Sequence, residues 1–160
     1  MQEAVRRVGA FFLDTIQTVV LALSIFVIAY LFLLQPHQVK GSSMSPYFQN
    51  NDFLLTDKIS YRFNKPGRGD IIIFKAPPSE ICAEEECEYI KRIIGLPGEK
   101  VKIKDGIIYI NNQQLNESYL VDGLKTQPQG FLIDGRIISL GDEEYLVFGD
   151  NRPYSRDGRE

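Results

Sequence analysis

The sequence predicts a mainly β protein that carries one transmembrane helix near its amino terminus. Two observations support this fold class. Residues 15–34 are uncharged and mostly apolar, and from residue 52 onward the chain contains short runs rich in isoleucine, valine and aromatic residues. Glycine, proline and asparagine separate these runs, as is typical of all-β domains. The 160 residues leave room for one membrane segment and one modest domain.

Residues 1–36 are expected to comprise a short cytoplasmic segment and the membrane anchor. Twenty helical residues, the length of the run at 15–34, span about 30 Å, the thickness of a bilayer hydrocarbon core. Arg6 and Arg7 precede the run, which favours a cytoplasmic amino terminus and an extracytoplasmic domain. A cleavable signal peptide is the alternative, but its apolar region has about 7–15 residues and ends in small residues. This run ends Leu-Leu-Gln-Pro-His, so we expect an uncleaved, single-pass anchor.

Residues 37–160 are expected to form an all-β domain, because no amphipathic helix stands out after residue 36. The predicted strands are residues 52–59, 70–74, 89–94, 101–104, 107–110, 131–133, 137–138 and 145–148. Asp105-Gly106 and Asp134-Gly135 each lie between two strand-like runs, where Asp-Gly is a strong hairpin signal. We expect approximately residues 105–140 to form a small cap rich in β-hairpins.

The composition argues against several classes of function. A net charge of −3 gives no indication of nucleic-acid binding. His37, the single histidine, lies beside Pro36 at the expected membrane edge, where an interfacial role is usual. One histidine and two cysteines cannot build a metal site alone, so neither a metal nor another cofactor is expected. Cys82 and Cys87 flank an acidic loop, and we expect a disulfide between them, with two free thiols as the alternative.

A candidate nucleophile follows the anchor closely. Ser43 lies in the sequence Gly-Ser-Ser-Met-Ser-Pro, between Gly41, which permits unusual backbone dihedrals, and Pro46, which stiffens the exit. A bare serine hydroxyl is a poor nucleophile and needs a neighbouring base. A polar turn after a membrane helix is the alternative, and the Ser-Ser-Met sequence alone favours it.

Lys91 is the candidate base. It lies in Tyr-Ile-Lys-Arg-Ile-Ile, a predicted core strand, where alternation places it on the opposite face from Ile90 and Arg92. A strand lysine is usually exposed, but burial would disfavour its ammonium form and lower its pKa. A neutral lysine amine within reach of Ser43 would form a Ser–Lys dyad, a recurring variant of the serine hydrolases.

Four sequence blocks together resemble the type I signal peptidases of bacteria, the leader peptidases of family S26. The blocks are residues 41–46, residues 69–74 (Gly-Asp-Ile-Ile-Ile-Phe), residues 89–99 (Tyr-Ile-Lys-Arg-Ile-Ile-Gly-Leu-Pro-Gly-Glu) and the polar, turn-rich residues 149–159. The resemblance implies a membrane-anchored serine endopeptidase that removes signal peptides from secreted preproteins at Ala-x-Ala-like sites. The catalytic domain would lie on the outer face of the cell membrane.

The resemblance also implies roles for individual residues. Ser43 would be the nucleophile, Lys91 the general base, and Ser155 a residue that orients the lysine. Two ion pairs are implied, Asp157 with Arg159 and Asp150 with Arg92. The implied substrate-binding positions are Val39, Met44, Phe48, Tyr89 and Ile90.

Two departures from the family pattern concern the oxyanion hole and the carboxyl end. The hole is expected to include the Ser43 backbone N–H, but Gly41 stands where some members have a serine hydroxyl. Members of the family also continue past the last block into further β structure, whereas this chain stops at Glu160, so we expect a truncated carboxyl end.

Two other functions compete with a signal peptidase. Self-cleaving repressors also resemble the Ser-Met…Lys arrangement, but they are soluble and bind DNA, and the apolar residues 15–34 argue against them. A catalytically inactive, membrane-tethered β domain that binds partners is the second alternative, and the intact Ser43, Lys91 and Ser155 argue against it. The expected partners are therefore secreted preproteins and the lipid bilayer, without nucleic acid; the sequence predicts no oligomeric state.

Overall fold

Residues 2–77 and 87–160 are described in the computed structural model of the chain. The chain divides into two units, one formed by Met1–His37 and Leu55–Asn64, the other by Gln38–Leu54 and Lys65–Glu160. Cys82 lies outside the described residues, so its disulfide with Cys87 stays a prediction.

The first unit contains a long amino-terminal helix, α1 (Gln2–Leu33). An 18-residue window of its Arg6–Tyr30 segment has a mean hydropathy of 2.1, and the segment is able, by length and composition, to cross a membrane. Three residues of this segment carry hydroxyls on aliphatic side chains, and each hydroxyl donates to the backbone carbonyl four residues earlier: Thr15, Thr18 and Ser24. These hydroxyls are therefore satisfied within the helix, as an apolar environment requires. The anchor predicted at residues 15–34 lies in α1 except for its last residue.

Two short strands and a single helical turn follow α1. β1 (Leu34–Gln38) pairs with β2 (Phe53–Asp57), and α2 (Ser60–Phe63) comes next. β2 confirms the strand predicted at residues 52–59, with shorter bounds. β1 and α2 were not predicted. The Asp57 carboxylate accepts the N–H groups of Ile59 and Ser60 at 2.7 and 3.1 Å, an Asx-type turn that ends the strand and starts the helix.

The described residues of the second unit form two antiparallel sheets. The first has the order β3-β4-β9, and the second has the order β7-β6-β5-β8. In chain order the strands are β3 (Ile71–Lys75), β4 (Glu88–Gly95), β5 (Lys100–Lys104), β6 (Ile107–Ile110), β7 (Gln113–Gln114), β8 (Ile137–Ser139) and β9 (Leu146–Phe148). A 3₁₀ turn, Arg152–Tyr154, follows β9. β4 is thus the central strand of its sheet, flanked by a partner on each edge.

One buried apolar cluster draws side chains from both sheets. Its members are Ile94, Val101, Ile103, Ile108, Ile110, Leu132, Ile138, Leu146 and Phe148. Residues 105–140 contribute four of these side chains, so the segment predicted as a cap takes part in the main core.

The first predicted hairpin is confirmed and the second is wrong. β5 and β6 pair across Asp105-Gly106, whose φ values of 53° and 82° are the two positive values that a type I′ turn requires. No strand forms at residues 131–133, and β8 pairs with β5 instead. The reason is that the N–H groups of Phe131 and Leu132 donate to the Arg159 carbonyl at 2.8 and 3.0 Å, which removes them from any β ladder.

Candidate active site

The turn that carries Ser43 spans residues 41–48 and is called the nucleophile turn after the role predicted for this serine. Hydrogen bonds hold the turn on both sides of Ser43. Gly41 starts the turn with a φ of 98°, a conformation that glycine adopts without strain. Its N–H donates to Oδ1 of Asn50 at 2.8 Å. Ser45 N–H donates to the Ser42 carbonyl at 3.1 Å. Ser43 itself is half-buried, so its side chain is enclosed by the fold but still reachable from solvent.

Lys91 lies in β4 with only 4% of its surface exposed. Its Nζ is 2.8 Å from the Oγ of Ser43. The Tyr89 ring covers the same amine, with its centroid 5.1 Å from Nζ. The ordinary alternative for a strand lysine, a side chain on a solvated face, is therefore wrong for this residue.

Burial lowers the pKa of Lys91 below its ordinary value, because the ammonium form loses its hydration. The negative charge of Asp157 opposes this shift of the pKa, and the positive charge of Arg159 adds to it. The amine therefore releases its proton at a lower pH than an exposed lysine would. A neutral amine in hydrogen-bond contact with a hydroxyl can take its proton, which is the arrangement of a nucleophile and its general base.

Ser155 is brought beside the nucleophile turn but not into a hydrogen bond with the lysine. It is 4% exposed, and its Oγ has no hydrogen-bond partner within the described part of the chain. The hydroxyl lies against Gly149, since a Cβ built on Gly149 would collide with Ser155 Oγ and with the Ser43 carbonyl oxygen. The predicted role of Ser155 in orienting Lys91 thus stays a prediction.

Asp157 and Arg159 form a fully buried ion pair, with both side chains 0% exposed. Arg159 donates to the two carboxylate oxygens at 2.7 and 2.9 Å. It also donates to the Ser155 carbonyl at 3.0 Å, while Asp157 accepts the Gly149 N–H at 3.0 Å. The pair therefore fixes the backbone on both sides of the Gly149–Ser155 contact.

Arg92 and Asp150 form the second predicted pair, on the other face of β4 from Lys91. Arg92 donates to the two Asp150 oxygens at 2.8 and 2.6 Å, and to the Gly69 carbonyl at 2.8 Å. Its guanidinium also lies near two rings, 4.1 Å from the centroid of Tyr119 and 5.6 Å from that of Tyr47. Tyr47 belongs to the nucleophile turn, so this pair links that turn to β4 and to residue 150.

The predicted substrate-binding residues differ in exposure. Val39 and Met44 are buried, at 6% and 1% exposed, whereas Phe48, Tyr89 and Ile90 are half-buried. The structure places Val39, Met44 and Phe48 on or near the nucleophile turn, and Tyr89 and Ile90 on β4 just before Lys91. Their contact with a substrate stays a prediction.

Asn151 is a contact residue that the sequence analysis did not single out. Its backbone N–H donates to the Ser43 carbonyl and its side-chain Nδ2 donates to the Ser42 carbonyl, both at 2.9 Å. The only signal for it is its place in the block at residues 149–159.

Arg152 is a second residue that was missed. It is 1% exposed, forms an ion pair with Glu117 and donates to the hydroxyl of Thr126. Its Nε donates to the Gly149 carbonyl at 3.0 Å. Tyr119, the ring that covers Arg92, donates its hydroxyl to the same Glu117 carboxylate at 2.6 Å. Glu117 and Thr126 lie in loops without a recognisable pattern, so nothing in the sequence indicates this network.

Within residues 2–77 and 87–160, no group of three or more His, Cys, Asp or Glu side chains is placed to hold a metal ion.

Comparison with known proteins gives consistent matches. The family model described as "Signal peptidase, peptidase S26" matches residues 12–160. Signal peptidase I V of Bacillus subtilis is 38% identical over 157 residues, which cover 92% of this chain and 86% of that relative. The protein named "Probable signal peptidase I-2" of Synechocystis sp. is 36% identical over 126 residues, 79% of this chain. The chain spans only 55% of the length of this second relative.

A solved structure is also similar in sequence. It is a signal peptidase I from Enterococcus faecalis, 32% identical, with a TM-score of 0.42 over 60% of this chain and 86% of that one. Since this TM-score is too low to compare folds, the assignment depends on the sequence matches alone. The family model covers more than nine-tenths of the chain, and the Bacillus relative is matched over most of both lengths. The chain therefore belongs to the signal peptidase family, peptidase S26.

Proposed function

We propose that this chain is a serine endopeptidase that removes signal peptides from preproteins, with Ser43 as the nucleophile and Lys91 as the general base. The observation that carries the proposal is the 2.8 Å contact between Ser43 Oγ and the buried Lys91 Nζ. Membership in the signal peptidase family supports the reaction and the substrate class. It also favours this function over that of a self-cleaving repressor.

The reaction follows from the two side chains. Neutral Lys91 takes the hydroxyl proton of Ser43 as Oγ attacks the scissile carbonyl carbon, and the carbonyl oxygen becomes an oxyanion. The carbon–nitrogen bond then breaks, and the Lys91 ammonium returns its proton to the leaving amine. Water, activated by the same amine, hydrolyses the ester between Ser43 and the signal peptide. The backbone N–H of Ser43 is the proposed donor to the oxyanion.

The surroundings of the dyad favour the neutral form of Lys91. Burial lowers the pKa of Lys91, and the positive charge of Arg159 acts in the same direction. Ser155 is proposed to orient the amine once the substrate is bound, because its Oγ is buried without a partner in the described residues. The pairs Asp157–Arg159 and Arg92–Asp150 are proposed to hold the segments that carry these groups.

Small substrate side chains beside the cleaved bond are proposed to bind next to Ser43. An extended substrate segment is proposed to bind beside residues 38–41 through main-chain hydrogen bonds, with alternate side chains entering pockets. The pocket walls are proposed to be Val39, Met44, Phe48, Tyr89 and Ile90. The pockets are proposed to be shallow, because a shallow pocket accepts alanine, as at Ala-x-Ala-like sites, and excludes larger side chains by steric clash.

The test is cleavage of a preprotein by the detergent-solubilised chain. The wild type is expected to release the signal peptide. Ser43→Ala should cleave the preprotein at least about 10³-fold more slowly, since a dyad fails when either member is removed. Labelling of the wild type, but not of Ser43→Ala, by a serine-acylating inhibitor would accompany this activity. A wild type that neither cleaves nor reacts would instead identify an inactive binding domain.

We further propose that residues 1–36 anchor the chain in the cell membrane as a single pass, with residues 37–160 as an extracytoplasmic catalytic domain and residues 105–140 as its cap. The length and hydropathy of Arg6–Tyr30 support this topology, as does the position of Arg6 and Arg7 at its amino-terminal end. A protease added outside intact cells should digest the domain. Protection of the domain until the cells are opened would contradict the orientation.

A further inference from the structure

We propose that Asn151 is a positioning residue that aims the backbone N–H of Ser43 at the oxyanion. The proposal depends on the function proposed above, because it concerns a donor of that reaction. It starts from one contact, the 2.9 Å hydrogen bond from the Asn151 Nδ2 to the Ser42 carbonyl oxygen.

Because of the geometry of the peptide group, this hydrogen bond also orients the backbone N–H of Ser43. The carbonyl of Ser42 and the N–H of Ser43 belong to the same peptide unit. That unit is planar, and in the trans form its C=O and N–H point in opposite directions. A bond that fixes the direction of the Ser42 carbonyl therefore also fixes the direction in which the Ser43 N–H points.

Asn151 makes a second contact that holds the other side of the serine. Its backbone N–H donates to the Ser43 carbonyl at 2.9 Å. The two bonds bracket Ser43, one on the peptide unit before it and one on the unit after it. Substitution of the side chain removes only the first bond, so its role can be separated from that of the backbone.

A helix-capping role does not account for the hydrogen bond from the Asn151 side chain to the Ser42 carbonyl. Asn151 precedes the 3₁₀ turn Arg152–Tyr154 in the N-cap position but makes no side-chain cap hydrogen bond. The Ser42 carbonyl also accepts Ser45 N–H at 3.1 Å, so the turn alone supplies one of its two bonds. The amide of Asn151 supplies the second, and its loss should loosen the peptide unit without releasing it.

The effect should therefore be smaller than the loss of an oxyanion donor, which costs about 10²–10³ in kcat. A decrease in kcat of about 10-fold is expected for Asn151→Ala and Asn151→Leu, with KM within about twofold of the wild type, because the oxyanion exists only after attack. Asn151→Leu keeps a side chain of similar size without the donor. Both variants should therefore show the same decrease in kcat, because both lack the amide donor.

The pH dependence separates positioning from general damage to the site. Neither substitution touches the bond between Ser43 and Lys91, so the midpoint of the pH–rate profile should stay at its wild-type value. A disrupted site would admit water to Lys91 and move that midpoint upward, since hydration favours the ammonium form. Such an upward shift would overturn the proposal.

The experiment measures kcat, KM and the pH midpoint for a peptide with an Ala-x-Ala site, using the detergent-solubilised full chain. Rates are divided by the folded fraction from circular dichroism, and the exposed Asn116→Ala serves as the matched control, expected at the wild-type kcat. A wild-type kcat in Asn151→Leu would overturn the proposal, because the donor would then be dispensable. If Ser43→Ala were active in the same assay, the proposed function itself would have failed.

Discussion

The Nζ of Lys91 lies 2.8 Å from the Oγ of Ser43, although 48 positions separate the two residues in the sequence. The serine is held on a turn before the first sheet of its unit, and the lysine comes from the central strand of that sheet. The fold keeps Lys91 from water, since only 4% of its surface is exposed. The burial that lowers the pKa of Lys91 also costs folding free energy. Substitution of Lys91 should therefore change both the activity and the stability of the protein.

Lys91→Arg should inactivate the enzyme. The guanidinium keeps its proton far above neutral pH and cannot accept the one that Ser43 must lose. We expect kcat/KM for an Ala-x-Ala peptide to fall by at least about 10³-fold, while circular dichroism still reports a folded β domain. An active Lys91→Arg enzyme would exclude the dyad.

The activity of the wild type should rise with pH and level off below the usual lysine range of about 10.4. Only the neutral amine can act as the base, and burial lowers the pKa of Lys91, so the rise should come at a lower pH than for an exposed lysine. The measurement is a pH–rate profile of kcat/KM. His37→Ala should give the same profile, and a folded but inactive His37→Ala would point to a different base.

Lys91→Met should be inactive yet more stable than the wild type near neutral pH. Because the folded-state pKa is lowered, the unfolded chain binds the lysine proton more tightly, and stability of the wild type rises with pH between the folded and unfolded pKa values. The thioether of methionine does not bind a proton, so its burial carries no such pH-dependent penalty. The advantage of Lys91→Met in melting temperature should thus be largest at pH 7 and shrink towards pH of about 10.

The exposed Lys104→Met is the control for this measurement. Its effect on the melting temperature should be the same at both pH values. A stabilisation by Lys91→Met that did not depend on pH would mean that the buried amine carries no folding penalty from its charge.

Local sequence patterns predicted those parts of the structure that depend on local interactions. The Asp105-Gly106 hairpin was predictable because both residues readily adopt positive φ, and α1 because apolar residues are continuous along it. The strand expected at residues 131–133 was wrong, since the donors of Phe131 and Leu132 are taken by Arg159, almost thirty residues away. No local pattern contains that contact.

At the candidate site, too, contacts between distant loops could not be predicted from local sequence patterns. Ser43 and Lys91 were singled out from their local sequence and from blocks that resemble a known family, and the structure brings the two side chains together. Alternation in β4 placed Lys91 and Arg92 on opposite faces. Asn151 and the pair of Arg152 with Glu117 were missed, because their partners are set by loops that meet only in three dimensions.

Asp150→Asn should destabilise the domain strongly. Arg92 is 9% exposed at its side chain and Asp150 2%, so the substitution leaves a buried guanidinium without its countercharge. Removal of one partner from a buried pair costs about 3–5 kcal/mol, and we expect a loss of unfolding free energy in that range. Chemical denaturation followed by circular dichroism measures it.

Glu160→Gln makes the same change from acid to amide in an exposed pair. The partners Arg156 and Glu160 are 68% and 46% exposed, and such pairs contribute under about 1 kcal/mol. If Asp150→Asn were as mild as Glu160→Gln, the link from Arg92 to residue 150 would not hold the fold together.

Gly149→Ala should remove activity through a single methyl group. A Cβ at residue 149 would overlap the Ser155 Oγ and the Ser43 carbonyl oxygen, and the Gly149 N–H and carbonyl are themselves bound by Asp157 and Arg152. Residue 149 is therefore held in place, so the clash must displace the nucleophile turn or Ser155. Since a misplacement of about 1 Å can cost on the order of 10²-fold in rate, we expect kcat to fall by at least that factor.

Gly130→Ala is the matched control, because Gly130 is exposed and an added Cβ would meet no atom within 4 Å. Measured side by side on the same peptide, Gly130→Ala should keep its activity; an equally active Gly149→Ala would show that the contact between Ser43 and residue 149 does not constrain the nucleophile.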